Sequence, residues 1–141
     1  MSRLVLCGLS AVALGAFAVP SIAQIVVTNA VIHPVPAGAP VTGAYMVLHN
    51  NGVRPVALTG ASCSCAAAVM AHESTMDGGV MRMRPAPRVV VSPHGRVAFR
   101  PGGYHLMVTG LKQPLKAGAQ IPMRLAFDGA PSVTVTFNAR R

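Results

Sequence analysis

The chain has 141 residues, with twelve Lys and Arg against three Asp and Glu, a formal net charge of +9, and three cysteines. Glu73, Asp77 and Asp128 are all of its carboxylate side chains, too few for an enzyme built on paired acids. Three cysteines do not make a disulfide scaffold, and four Phe, two Tyr and no Trp offer no stacking platform for nucleic acid.

Arg3 precedes an apolar run from Leu4 to Ala18, Pro20 breaks it, and Ser21-Ile22-Ala23 places small residues at the −3 and −1 positions of a signal peptidase site. The pattern predicts a signal peptide over 1–23, cleaved before Gln24, and a single mature domain over 24–141. A membrane span needs about 20 apolar residues, more than this run supplies. A lipidated cysteine would have to follow the apolar run, whereas Cys7 lies near its start. No second run in the mature chain approaches span length, so no integral membrane segment is expected there. Losing Arg3 leaves eleven basic residues against three acids, a net charge of +8. In an exported protein that charge points to an acidic partner or an anionic surface, and not to nucleic acid.

The mature chain carries no helix signal. Short runs rich in Val, Ile, Leu and Met, broken every eight to twelve residues by Gly, Pro, Asn or Asp, predict an all-β fold of antiparallel strands in a sandwich or barrel. The predicted strands are Ile25–His33, Tyr45–Asn50, Arg54–Ala61, Ala67–His72, Val80–Arg84, Val89–Val91, Arg96–Phe99, His105–Thr109, Gln120–Phe127 and Ser132–Phe137. Leu111 to Ala119 reads as a basic loop. Asp77-Gly78 is a favoured pair for a two-residue type I′ hairpin. That turn would set Met76 against Gly79, Ser74 against Met81 and His72 against Met83, with His72, Ser74, Met76, Met81 and Met83 on one face.

Met70, Met76, Met81, Met83 and Met107 fall within thirty-eight residues, together with His72, His94 and His105. On a strand His105 and Met107 share a face, with Leu106 on the other. Thioethers are soft and neutral and suit Cu(I) better than Zn²⁺, Mg²⁺ or Ca²⁺, and imidazole also accepts copper. Two imidazoles with two thioethers leave a site carrying only the charge of Cu(I), which needs no buried counter-ion. The competing explanation is packing, because Met often fills irregular cores. His33, His49 and His94 lie at strand ends or in turns and are expected to be exposed or structural. Met76 and Met81 are expected to form an apolar collar around the ion.

The spacing His72-x10-Met83-x21-His105-Leu106-Met107 resembles the H-x10-M-x21-H-x-M signature of the PCuAC-type periplasmic copper chaperones. Gly43-Ala44-Tyr45, Asn50-Asn51-Gly52, Gly79 to Arg84, Pro101-Gly102-Gly103-Tyr104-His105 and Leu111 to Leu115 are also similar to that family. The resemblance covers most of the mature chain. It implies a cupredoxin-like antiparallel β-sandwich or barrel with Greek-key connections and one Cu(I) bound by His72, Met83, His105 and Met107; with no Ser/His/Asp set and no paired carboxylates in the sequence, no enzymatic activity is expected. It further implies delivery towards cytochrome c oxidase assembly, with an oxidase subunit or a thiol-bearing assembly factor as the copper acceptor. Copper buffering without a dedicated acceptor is the alternative. The chain ends Phe137-Asn138-Ala139-Arg140-Arg141, without the Met- and His-rich tail that helps some members hold a second copper, Cu(II). Cys63-Ser64-Cys65 falls outside the signature. It is open to three readings: an accessory thiol site, a local disulfide, or two small residues on a strand, where their Cα atoms would lie near the upper limit for bridging.

Overall fold

The computed structural model describes residues 15–16 and 24–141. Apart from Gly15 and Ala16, the expected signal peptide lies outside the described residues. The described residues form ten strands: β1 (Ile25–Ile32), β2 (Val41–Asn50), β3 (Val56–Ser62), β4 (Ala66–Asp77), β5 (Val80–Pro85), β6 (Val89–Val91), β7 (Arg96–Phe99), β8 (Tyr104–Leu111), β9 (Gln120–Asp128) and β10 (Val133–Ala139). Among the described residues no helix is long and apolar enough to cross a membrane.

The pairing closes on itself. β3 pairs with β4, β4 with β8, β8 with β2, β2 with β1, β1 with β10, β10 with β9, and β9 returns to β3. β7 takes the half of β2 that β8 leaves free, Met46 to His49, and completes an eight-stranded barrel. β5 and β6 hang outside it on β4 and β3. Two pairings are parallel, β1 with β10 and the short contact of β7 with β8; the others are antiparallel.

Alternation along the strands explains the closure. In β2, Thr42, Ala44, Met46, Leu48 and Asn50 are buried, and every second residue between them is partly exposed. Ile32, Leu48, Leu106, Val108, Met123, Leu125 and Phe137 are fully buried and fill the barrel, each side chain worth roughly 1.5–3 kcal/mol of burial. Asn50 is buried among them because its Nδ2 donates to the carbonyls of Arg54 at 2.7 Å and Val91 at 3.0 Å, while its Oδ1 accepts from Gly52 N–H at 2.9 Å. One polar side chain thereby ties together the loop after β2 and strand β6.

The hairpin register differs from the expected one. Asp77 pairs with Val80, Met76 with Met81, Ser74 with Met83 and His72 with Pro85. The turn residues are Gly78 and Gly79, at φ +56° and +80°. A type I′ turn needs positive φ at both central positions, and Gly-Gly meets that with no Cβ, so Asp77 stays in the strand. The pairing therefore slides by two residues. A slide of two preserves the faces, and His72, Ser74, Met76, Met81 and Met83 still share one.

Candidate metal centre

β4 and β8 set His72 directly opposite His105 and Met70 directly opposite Met107. Leu106 and Val108 turn into the barrel, so His105 and Met107 face outwards. The two imidazole rings stack with centroids 5.9 Å apart and planes 19° apart. Met83 lies two strands from β8, beside Ser74, and Ser74 N–H in turn donates to the Gly103 carbonyl at 3.0 Å. Two strand spacings are about 9.5 Å. Ser74, the β4 residue beside Met83, is small and leaves the space between Met83 and His105 open. On the far side Met107 is paired with Gly43, which likewise adds no side chain.

The result is a shallow depression of about 410 Å³ on the outer face of the barrel, lined by Ser74, Met81, Met83, His105 and Met107, with Gly43 and Tyr45 as one wall. His72 flanks it through its stack on His105. A Cβ on Gly43 would come within 2.9 Å of the Tyr45 hydroxyl, so glycine here lets the Tyr45 ring lie along the strand towards Met107.

His105 is only 8% exposed. Its Nδ1 lies 3.3 Å from the Gly103 carbonyl, whereas its Nε2 is buried and has no hydrogen-bond partner among the described residues. The carbonyl fixes Nδ1 as the protonated nitrogen and leaves the Nε2 lone pair free. This is the arrangement by which a second contact orients an imidazole for a metal. His72 repeats it more loosely, with Nδ1 3.4 Å from the Met70 carbonyl. A buried nitrogen lone pair with nothing to accept costs free energy unless a ligand uses it.

The packing explanation of the methionines divides along the structure. Met46 and Met123 are fully buried and belong to the core. Met70, Met76, Met81 and Met83 are each more than half exposed, and Met107 is half-buried. Packing accounts for the first two and leaves the rest unexplained. Met81 does line the depression beside Met83, whereas Met76 lies further out on the hairpin. Met70 joins the two histidines and Met107 on one face. Met70 lies outside the four-residue signature, and its period-two spacing from His72 is the signal that places it on this face. Among the described residues no three His, Cys, Asp or Glu side chains converge, so hard or borderline donors alone do not build a centre.

The remaining histidines lie elsewhere. His33 packs its ring against Tyr45 at 5.0 Å, His49 shares a 3.0 Å hydrogen bond with Thr28, and His94 sits in a turn at φ +55°. Cys63 and Cys65 are joined as a local disulfide in the β3–β4 turn. His72 is six steps along β4 from Ala66, about 20 Å, so the pair is not part of this depression.

The fold is that of the PCuAC-type β-barrel domains. The copper-bound PCuAC domain from PmoF2 superposes with a TM-score of 0.72 over 85% of this chain and 95% of its own, at 21% identity. DR1885 from Deinococcus radiodurans superposes in its apo form with a TM-score of 0.66 at 27% identity, over 100% of this chain and 94% of that one. Its CuI form gives 0.64 at 29%, over 90% and 83%. The family model described as "Putative lipoprotein LpqE-like" matches residues 25–139, and the chain belongs to that family. "Putative lipoprotein Lxx21020" of Leifsonia xyli subsp. xyli is 36% identical over 98 residues, which is 68% of this chain and 59% of that protein. The chain thus matches under two thirds of that relative's length.

Proposed function

We propose that the protein is an exported Cu(I) carrier that holds one ion through His72, Met83, His105 and Met107. It passes the ion to a copper-accepting protein in the periplasm, in the assembly of cytochrome c oxidase. The observation that carries this reading is the buried, partnerless Nε2 of His105 at the edge of a depression whose other soft donors are thioethers. Two imidazoles and two thioethers select Cu(I). They bring no negative charge, in keeping with a depression whose lining includes no carboxylate. Lacking thiolates, the site holds copper less tightly than a cysteine-containing acceptor would, and that gradient favours release in one direction. The open, shallow shape gives an acceptor access to the ion. Every proposed ligand is a neutral metal donor, which suits carriage of the ion.

Export rests on residues 1–23 as a signal peptide. The delivery step and the acceptor, an oxidase subunit or a thiol-bearing assembly factor, rest on the likeness to PCuAC domains. X-ray absorption of the Cu(I)-loaded mature protein tests the donor set: sulfur and nitrogen scatterers are both expected, and a spectrum without a sulfur shell overturns it. For delivery, deletion of the gene should lower oxidase activity, with recovery on added copper. Unchanged activity in copper-limited cells would leave only a buffering role.

A further inference from the structure

The turn that joins β3 to β4 carries the Cys63–Cys65 disulfide, with one residue between the cysteines and their Cα atoms 5.1 Å apart. A cross-link that closes so short a loop removes little freedom from the unfolded chain. Backbone bonds already hold the turn. Ala66 N–H donates to the Cys63 carbonyl at 3.4 Å, and Lys112 N–H donates to the Cys65 carbonyl at 3.0 Å. β4 is anchored independently along β8 from Ala66 to Glu73. The fold therefore has little use for this sulfur–sulfur bond.

The bond is open to attack. Both cysteines are half-buried, and Ser64 between them is exposed, so an incoming thiolate has a path to the sulfurs. The two sulfurs are also chemically distinct. Cys65 N–H donates to Cys63 Sγ at 3.0 Å. A hydrogen bond to sulfur strengthens when that sulfur carries charge, so the turn stabilises a thiolate on Cys63 more than on Cys65. A better-stabilised thiolate leaves faster in exchange.

We infer that Cys63–Cys65 is a thiol–disulfide exchange centre that takes two electrons from a dithiol on a partner protein. The partner's thiolate attacks Cys65 Sγ. The Cys63–Cys65 bond breaks, and Cys63 leaves as a thiolate held by Cys65 N–H. The partner's second thiol, deprotonated, then attacks its own sulfur in the mixed disulfide and expels Cys65. The partner ends as a disulfide, Cys63 and Cys65 end as thiols, and two electrons and two protons have changed hands. The centre is about 20 Å along β4 from His72, so it stands independently of the copper reading.

The test uses the metal-free mature protein with dithiothreitol as the dithiol. Products are trapped by alkylation and read by mass. Native protein should be reduced within minutes with its thermal midpoint unchanged to within about 3 °C, and oxidised glutathione should restore the bond. In a second arm, iodoacetamide at pH 7 should modify Cys63 in Cys65→Ser several-fold faster than Cys65 in Cys63→Ser, because Cys65→Ser keeps the backbone N–H. Reduction that proceeds only when the chain unfolds would overturn the exchange role and make the bond structural. Equal or reversed alkylation rates would overturn the assignment of Cys63 as the leaving sulfur.

Discussion

Replacing His105 with Leu should abolish tight Cu(I) binding and at the same time make the metal-free protein more stable. His105 is 8% exposed, and its Nε2 is buried with no partner. An unsatisfied buried polar atom costs about 1–3 kcal/mol, and leucine of similar bulk removes it. The other nitrogen is lost as well, but its contact is long, at 3.3 Å, and the Gly103 carbonyl keeps the Ser74 N–H at 3.0 Å. Little is forfeited on that side. The balance is a gain of about 1–2 kcal/mol. For a domain of this size that raises the thermal midpoint by roughly 4–8 °C. Calorimetry of the apo proteins reads the midpoint, and a Cu(I) titration reads the affinity. The wild type should be stabilised further by bound Cu(I), because a ligand that binds only the folded state raises its stability; the variant should show no such increment. An apo variant destabilised by more than about 1 kcal/mol would refute the reasoning. His105 would then be held by packing and hydrogen bonding, and its free nitrogen would say nothing about a metal.

Ser74→Leu should lower Cu(I) affinity at least tenfold, because a bulky side chain between β5 and β8 blocks the path from Met83 to His105; a competition titration checks it. Met70→Leu should change affinity less than Met83→Leu in the same titration, because Met70 is outside the depression lining although it shares the face. Asn50→Ala should cost about 2–4 kcal/mol in chemical denaturation, since it strips the donor from the Arg54 and Val91 carbonyls and leaves a void in the core; copper affinity should not move.

All ten strands are legible in the sequence, because each alternates or ends in a turn residue. Their bounds are less so. β2 starts at Val41 instead of Tyr45: glycine is a poor strand former, yet Gly43 is kept in the strand by its missing side chain, beneath Tyr45 and beside Met107. β4 continues through Asp77, since Gly78-Gly79 outcompetes Asp77-Gly78 for the turn. The parallel pairing of β1 with β10 joins the first and last of the described strands, and no local pattern encodes such a distant contact. On the site, alternation puts His72 and Met83 on one face of the hairpin and His105 and Met107 on one face of their strand, and strand parity keeps both even though the register slides by two; only the pairing of β4 with β8 brings the two segments side by side. The small residues that line the depression, Ser74 and Gly43, carry no signal until the pairing is known. Nor does composition separate the core methionines, Met46 and Met123, from the exposed ones. Cys63 and Cys65 could not be resolved from spacing, because a turn, unlike a strand, brings their Cα atoms well within bridging distance.

The most direct test of the copper site is a Cu(I) titration of the mature protein against a chromophoric competitor, run on wild type and on His72→Ala, Met83→Ala, His105→Ala and Met107→Ala, with His33→Ala and His49→Ala as controls. One Cu(I) per chain is predicted, with affinity reduced in each of the first four variants and unchanged in the two controls. Wild-type affinity in all four variants would contradict the assignment, and equal losses in the controls would show that the effect does not belong to this site.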